Sequence, residues 1–511
     1  MSAIRGGHSS DHLPMLSGGL ASAAARVVNQ FCQLAIFIVG ARVLGPSQFG
    51  VFALASVFAI LTLQFTKAGT LGFILSLRGP DHEVRQALAV SVALSMAGLA
   101  TGLIVAHVTS AWSNTPDLGE LIALFAVWVA LSTYGDAQFA ILTRNGRLVA
   151  TAACEAVAEI AGMVIAISLL RMKVGPEALV FGRLATQCII VVWSNALTMM
   201  VPTLSVSRRV ASRLYRSSLN ILSAQVLNNV QQSLTTILIG GFLGASAVGH
   251  FRGAQRLTGA VAELACEPFR AVAWVYFRHA TAGHAEAGSA AMTANLQRAM
   301  EWLVPLLFVI SGPLFIGLAI MAEPIVDLIL GNAWHESAPL ISILSLAALL
   351  KMPATFTVQL LTFVDRIKAL PPISLLNAAL SLLFVFPACL FGVMEVAWAQ
   401  FAAAIVAIAT TIWLQQRFVG IDWRAISLRL PLLVLPLVLM SCTAYVMRNH
   451  IGFHVTNSVI ALAVTVLVSA MLYTGAIMLL RRDLVIALMA AVRSKPRSPR
   501  SGELPAETTP Q

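Results

Sequence analysis

Five charged side chains stand in one apolar stretch of this chain, residues 246–277: Arg252, Arg256, Glu263, Glu267 and Arg270. Laid on a helix at about 100° per residue, they share a wedge of about 60°. A charge near the centre of a bilayer costs about 2.5–3.5 kcal/mol on the insertion scale, so five facing lipid would cost on the order of 15 kcal/mol. The wedge therefore faces water, a partner helix or a ligand. Arg252 and Arg256 lie one turn apart with no acid between them. Their end of the stripe is cationic and suits the wall of a hydrated cavity. Glu263 and Glu267 admit two readings: cavity groups that couple transport to an ion, or partners of Arg270 in a structural network.

The same theme recurs in quieter form. Arg26, Asn29, Gln30 and Gln33 share one face of the first apolar run, Gln64 and Lys67 a face of the second, and Arg183 and Gln187 a face of the sixth. The seventh is polar along much of its length, including Asn228, Gln232 and Thr235, and Lys351, Thr355 and Gln359 form a further polar face. Glu155 and Glu159 are one turn apart, so their like charges either form a proton-coupling site or are neutralised by Arg26, Lys67 or Arg183. The six cysteines are scattered, with no C-x-x-C pair, and the ten histidines show no ligand spacing. No metal, cofactor or catalytic residue is expected, and the absence of G-x-x-x-x-G-K-[ST] argues against ATP-driven transport by this chain alone.

The elements that position these residues follow from composition. The chain is 58% hydrophobic and only 11% charged over 511 residues, against roughly 25% charged in soluble domains. Runs of about 20 apolar residues recur throughout, each long enough to cross a bilayer core of about 30 Å as a helix. This predicts an all-α polytopic membrane protein with about 14 spans. The first 19 residues lack an apolar core, so no cleaved leader is expected. Roughly 22 of the 33 Lys and Arg residues fall on one side of the membrane when loops are counted from an inside N-terminus, and about four on the other. The net charge of +11 is thus a topology signal that places both termini in the cytoplasm, and no nucleic-acid partner is expected.

Two segments about 199 residues apart match without a gap. Asn29 and Gln33 fall on Asn228 and Gln232, and Leu44-Gly45-Pro46-Ser47-Gln48-Phe49-Gly50-Val51-Phe52 falls on Leu243-Gly244-Ala245-Ser246-Ala247-Val248-Gly249-His250-Phe251. A repeat returning after six spans enters the membrane in the same direction, which predicts two lobes related by an axis along the membrane normal, with a site between them. The expected layout is a cytoplasmic tail (1–16), a six-helix lobe (17–204), a basic inter-lobe loop (205–216), a second six-helix lobe (217–418), two further helices (425–481) and a disordered cytoplasmic tail (482–511). Outer loops are short, which disfavours a membrane polymerase or ligase needing a sizeable external domain.

The paired signature resembles the MOP exporter superfamily, in particular its polysaccharide-transport branch of Wzx-type lipid-linked oligosaccharide flippases. The resemblance is carried by Ala41 to Gly50, by Ile239 to Gly249 leading to Ala254-Gln255-Arg256-Leu257, and by Ile329-Leu330-Gly331-Asn332-Ala333-Trp334 with Ser337-Ala338-Pro339-Leu340. It implies translocation of undecaprenyl-diphosphate-linked repeat units from the inner to the outer leaflet of the bacterial cytoplasmic membrane. The motion implied is alternating access around a cationic cavity. A polysaccharide polymerase and a chain-length regulator are the implied partners. On this basis Arg26, Lys67, Arg252 and Arg256 are the candidates for head-group binding, since guanidinium groups suit a diphosphate. Asn29, Gln33, Gln64, Arg183, Asn228 and Gln232 are the expected polar lining, and Glu155, Glu159, Glu263 and Glu267 the candidates for ion coupling. A drug or cation antiporter of the same superfamily is the alternative, but its cavity would favour acids and aromatics.

Overall fold

The computed structural model describes residues 12–67, 70–77, 81–112, 116–203, 207–208, 212, 224–281, 290–451 and 458–480. The tail expected at 482–511 and most of the inter-lobe loop lie outside these residues. The expected N-terminal tail is described from His12, where helix has already begun. All described elements are helical.

The first lobe contains α1 (His12–Thr66), α2 (Thr70–Ser76), α3 (Asp81–Trp112), α4 (Pro116–Arg144), α5 (Leu148–Arg171) and α6 (Glu177–Thr198). The second contains α7 (Ala224–Thr281), α8 (Ala290–Ile320), α9 (Ala322–Ile329), α10 (Ser337–Leu350), α11 (Thr357–Phe363), α12 (Leu370–Ala388) and α13 (Val393–Val419). A short helix, α14 (Trp423–Ser427), leads to α15 (Pro431–Ile451) and α16 (Ser458–Leu480). In the first lobe α1 packs on α4 and α5, and α6 on both; in the second α7 packs on α8, α10 and α12, with α13 behind. Helices α15 and α16 pair with each other and rest on α8 through Leu433, Met440, Tyr473 and Ile477.

Among the described residues, eleven helices are long and apolar enough to cross a membrane, or twelve if the pair Ser337–Leu350 and Met352–Phe363, bent by 48°, is one span. The count falls short of fourteen because the first two expected spans form one kinked helix, and the seventh and eighth another. Both kinks sit in the repeated motif. Gly45 has φ 69° and ψ 176°, and Gly244 has φ 85° and ψ 176°. A side chain in that left-handed region would be strained, so glycine is the residue that lets each helix break. Pro46, with no N–H to donate, is well placed to restart the first of them.

The two breaks meet at the joint between the lobes. A Cβ on Gly50 would collide with the carbonyl oxygen of Ala245, and one on Gly249 with the carbonyl oxygen of Pro46. The contacts are exchanged by the same 199-residue offset that relates the motifs, so the joint is itself pseudo-symmetric. Trp334 from the turn Asn332–Trp334 is fully buried there and donates its indole N–H to the Ala41 carbonyl at 2.9 Å. Phe49 and His250 meet its ring at 5.5 and 5.8 Å between centroids. Arg42 donates to the Ile329 carbonyl at 2.8 Å and also to that of Leu328, capping the C-terminus of α9 from the opposite lobe.

Candidate functional site

A cavity of about 800 Å³ lies between the lobes beside this joint. Helix α1 supplies Gln33 and Phe52, α5 Glu159, α6 Arg183 and Gln187, and α7 the row Asn228, Gln232, Arg252, Arg256 and Glu263. Lys351 enters from the break after α10, and Gln400 from α13. Four cations therefore face two carboxylates across a lining otherwise rich in neutral amides and hydroxyls. That composition offers an anion site surrounded by hydrogen-bonding groups.

The arginines are held without being neutralised. Arg183 sits over the rings of Trp128, Phe52 and Phe125 at 5.4, 5.6 and 5.9 Å from their centroids, and the ring faces attract its charge while leaving its N–H groups to the cavity. Arg252 donates to Gln255 Oε1 at 3.3 Å. Arg256 crosses the lobes to donate to Gln33 Oε1 at 2.9 Å, and Gln33 Nε2 donates to Asn29 Oδ1 at 2.6 Å. Among the described residues, none of the three forms an ion pair within hydrogen-bonding reach of a carboxylate. Planar guanidinium groups left in this condition are suited to bidentate contact with phosphate oxygens.

The residues expected from sequence divide between this cavity and other places. Arg252, Arg256, Gln33, Arg183, Asn228, Gln232, Glu159 and Glu263 line it. Arg26, Lys67, Asn29, Gln64, Glu155 and Glu267 are not in its lining. Lys67, proposed for the head group, lies instead 2.5 Å from Asp136 and donates to Ser132 Oγ at 2.7 Å. Arg26 is exposed on α1, seven residues before Gln33, about 10 Å along the helix axis. Glu267 pairs with Arg270 three residues on, so this half of the charged stripe is a local ion pair. Gln231 and Gln255 belong to the wall without any sequence expectation for them, and Lys351, expected only as part of a polar face with Thr355 and Gln359, joins them there. Gln231 stands beside Gln232 in the repeated motif, the one signal that could have found it. Among the described residues no cluster of three or more His, Cys, Asp or Glu side chains is arranged to hold a metal ion.

Two helical lobes around a polar central cavity define a polytopic membrane protein of the transporter type. The profile of polysaccharide biosynthesis proteins matches residues 39–339, more than half of the chain, and the chain belongs to that family. The succinoglycan biosynthesis transport protein ExoT of Rhizobium meliloti (strain 1021) is 23% identical over 485 residues, which cover 90% of this chain and 92% of that one. The structure of the lipid II flippase MurJ in an inward closed conformation superposes with a TM-score of 0.69 at 11% identity, covering 92% of this chain and 99% of that one. An inward-facing multidrug resistance MATE family transporter of the MOP superfamily gives 0.59 at 17% identity, covering 77% and 95%. At these identities the two structures speak for the fold alone.

Proposed function

We propose that the protein is a flippase that carries an undecaprenyl-diphosphate-linked oligosaccharide repeat unit from the inner to the outer leaflet of the bacterial cytoplasmic membrane, for assembly of a polysaccharide. The observation that carries this reading is the convergence of Arg183, Arg252 and Arg256 on one inter-lobe cavity with no ion pair to a carboxylate among the described residues. A diphosphate needs such charge to leave water. The neutral amides and hydroxyls around it suit sugars, and the polyprenyl tail stays in the bilayer between the lobes. Membership of a polysaccharide biosynthesis family and the likeness to a succinoglycan biosynthesis transport protein support the substrate class. A cation antiporter with the same fold would place acids in excess in its cavity; here the cations are in excess.

Charge and geometry together support the inner-to-outer direction. The excess of Lys and Arg on one side favours both termini in the cytoplasm, and the joint at Gly45 and Gly244 is then the outer end. The lobes pack closely there, so on this reading the cavity would receive its substrate from the inner leaflet in this state. Separation of the joint and approach of the opposite ends would turn it outward. A polymerase and a chain-length regulator on the outer side would then take up the delivered unit.

Deletion of the protein is the direct test. Cells lacking it are expected to accumulate lipid-linked repeat units accessible only from the cytoplasmic face. Accumulation of single exported units would point to a polymerase, and loss of drug tolerance alone to an antiporter. Coupling has its own candidate in Glu159, a carboxylate in the cavity wall within electrostatic reach of Arg183. Glu159→Gln is expected to flatten the pH dependence of transport in proteoliposomes, because a titratable group exposed alternately to the two sides is lost. A profile identical to that of the unaltered protein would assign the residue to structure.

A further inference from the structure

A second cavity of about 390 Å³ lies inside the second lobe, between α7, α11, α12 and α13. It shares three wall residues with the central cavity, Asn228, Gln231 and Lys351, so these form the threshold between the two. Arg183, Arg252 and Arg256 line only the central cavity. Beyond the threshold the polar wall is made of Ser374, Asn377 and Ser381, spaced along one face of α12, with Thr357 and Thr411 opposite. Lys351 is the sole charged residue of this lining, which includes no aromatic side chain.

The position of Lys351 is set by the backbone. It ends α10 and begins the 3-10 turn Met352–Phe356, at the 48° bend. The last carbonyls of α10 favour a cation there, but the side chain is exposed to the cavities and forms no ion pair or side-chain hydrogen bond among the described residues. A cation at the door of a neutral polar chamber in a membrane protein calls for a partner. Gln231 strengthens the case, because its counterpart at the 199-residue offset is Cys32, which is 1% exposed. The repeat is polar here in the second lobe and apolar in the first. Gln231 donates to Ser381 Oγ at 2.7 Å and so joins the threshold to the α12 wall.

We infer that this side chamber receives the sugar end of the cargo, and that Lys351 holds an acidic substituent of the repeat unit, a carboxylate such as that of a uronic acid. This rests on the flippase reading above. The chamber would make the carrier selective for acidic over neutral glycans, while the arginines hold the diphosphate they all share.

The test uses the full chain in nanodiscs and three probes: undecaprenyl diphosphate, the same lipid carrying a neutral tetrasaccharide, and the same lipid carrying a tetrasaccharide that ends in a uronic acid. The unaltered protein is expected to bind the uronate-bearing lipid about tenfold more tightly than the neutral one, as for one added charge-assisted contact. Lys351→Met should bring that ratio to about one, and Lys351→Arg should restore it. Ser374→Phe, which fills the chamber, should weaken both glycolipids relative to undecaprenyl diphosphate. Equal affinity of the unaltered protein for the two glycolipids, or a preference that survives Lys351→Met, would overturn the assignment of the chamber. Failure to bind undecaprenyl diphosphate itself would instead overturn the flippase reading on which it rests.

Discussion

Replacing Arg252 and Arg256 together by alanine is expected to reduce polysaccharide export about a hundredfold, with the protein still present in the membrane in normal amount. Each charge-assisted hydrogen bond to a phosphate is worth about 1.5–3 kcal/mol, and 1.4 kcal/mol is a factor of ten. Loss of two such contacts gives the expected size. Folding should survive, because neither guanidinium has a carboxylate partner that truncation would strand among the described residues. Removing an uncompensated charge from a membrane interior does not itself destabilise. Substitution of both by lysine keeps the charge but loses the two-pronged geometry, so export should fall between the two. The readouts are cell-surface polymer and protein abundance in isolated membranes. Normal export by the double alanine variant would remove these residues from the binding site.

The second large effect is expected at the joint. Gly50→Ala and Gly249→Ala each place a methyl group against a carbonyl oxygen of the other lobe. Backbone atoms in packed helices do not move aside as the end of a flexible side chain does, and protein interiors leave little slack. Each variant should hold the lobes apart at this end and impair export severely. Spin labels on the two lobes near the joint should report longer distances. Gly241 is the control, since a Cβ there meets nothing within 4 Å. Gly241→Ala should leave export unchanged and gain a little helix stability, at most about 1 kcal/mol. Normal export with unaltered distances in both joint variants would mean that the close approach is incidental.

The helical membrane fold and several residues that line the central cavity were legible in the sequence because two physical signals were strong. Paired copies of Leu-Gly-x-Ser-x-x-Gly-x-Phe pointed to two related halves, and the structure adds that the first glycine of each copy breaks its helix at positive φ. Charged residues in apolar helices had to turn away from lipid, which placed Arg183, Arg252 and Arg256 on inner faces. Periodicity, however, gives a face and not a depth. Arg26 shares a helical face with Gln33 yet lies outside the cavity, and Glu267 shares one with Glu263 yet pairs with Arg270. Lys67 was misplaced for a different reason: its partner Asp136 is on α4, and no spacing along the chain announces such a contact. Lys351 was read as one polar face with Thr355 and Gln359 but not as part of the central cavity, because it stands at a helix break that the spacing does not announce. The span count differed because a glycine break inside a long helix leaves no polar loop behind.

If the protein is the flippase proposed above, the aromatic seat of Arg183 bears on how quickly it can turn over. A guanidinium clamped by a carboxylate must be prised loose before it greets an arriving cargo, and must be recaptured afterwards. One cushioned by Phe52, Phe125 and Trp128 needs neither step, so loading begins on a host already in position. On the same reading Glu159 and Glu263, in the same wall, would supply the opposing push that keeps residence times short enough for unloading.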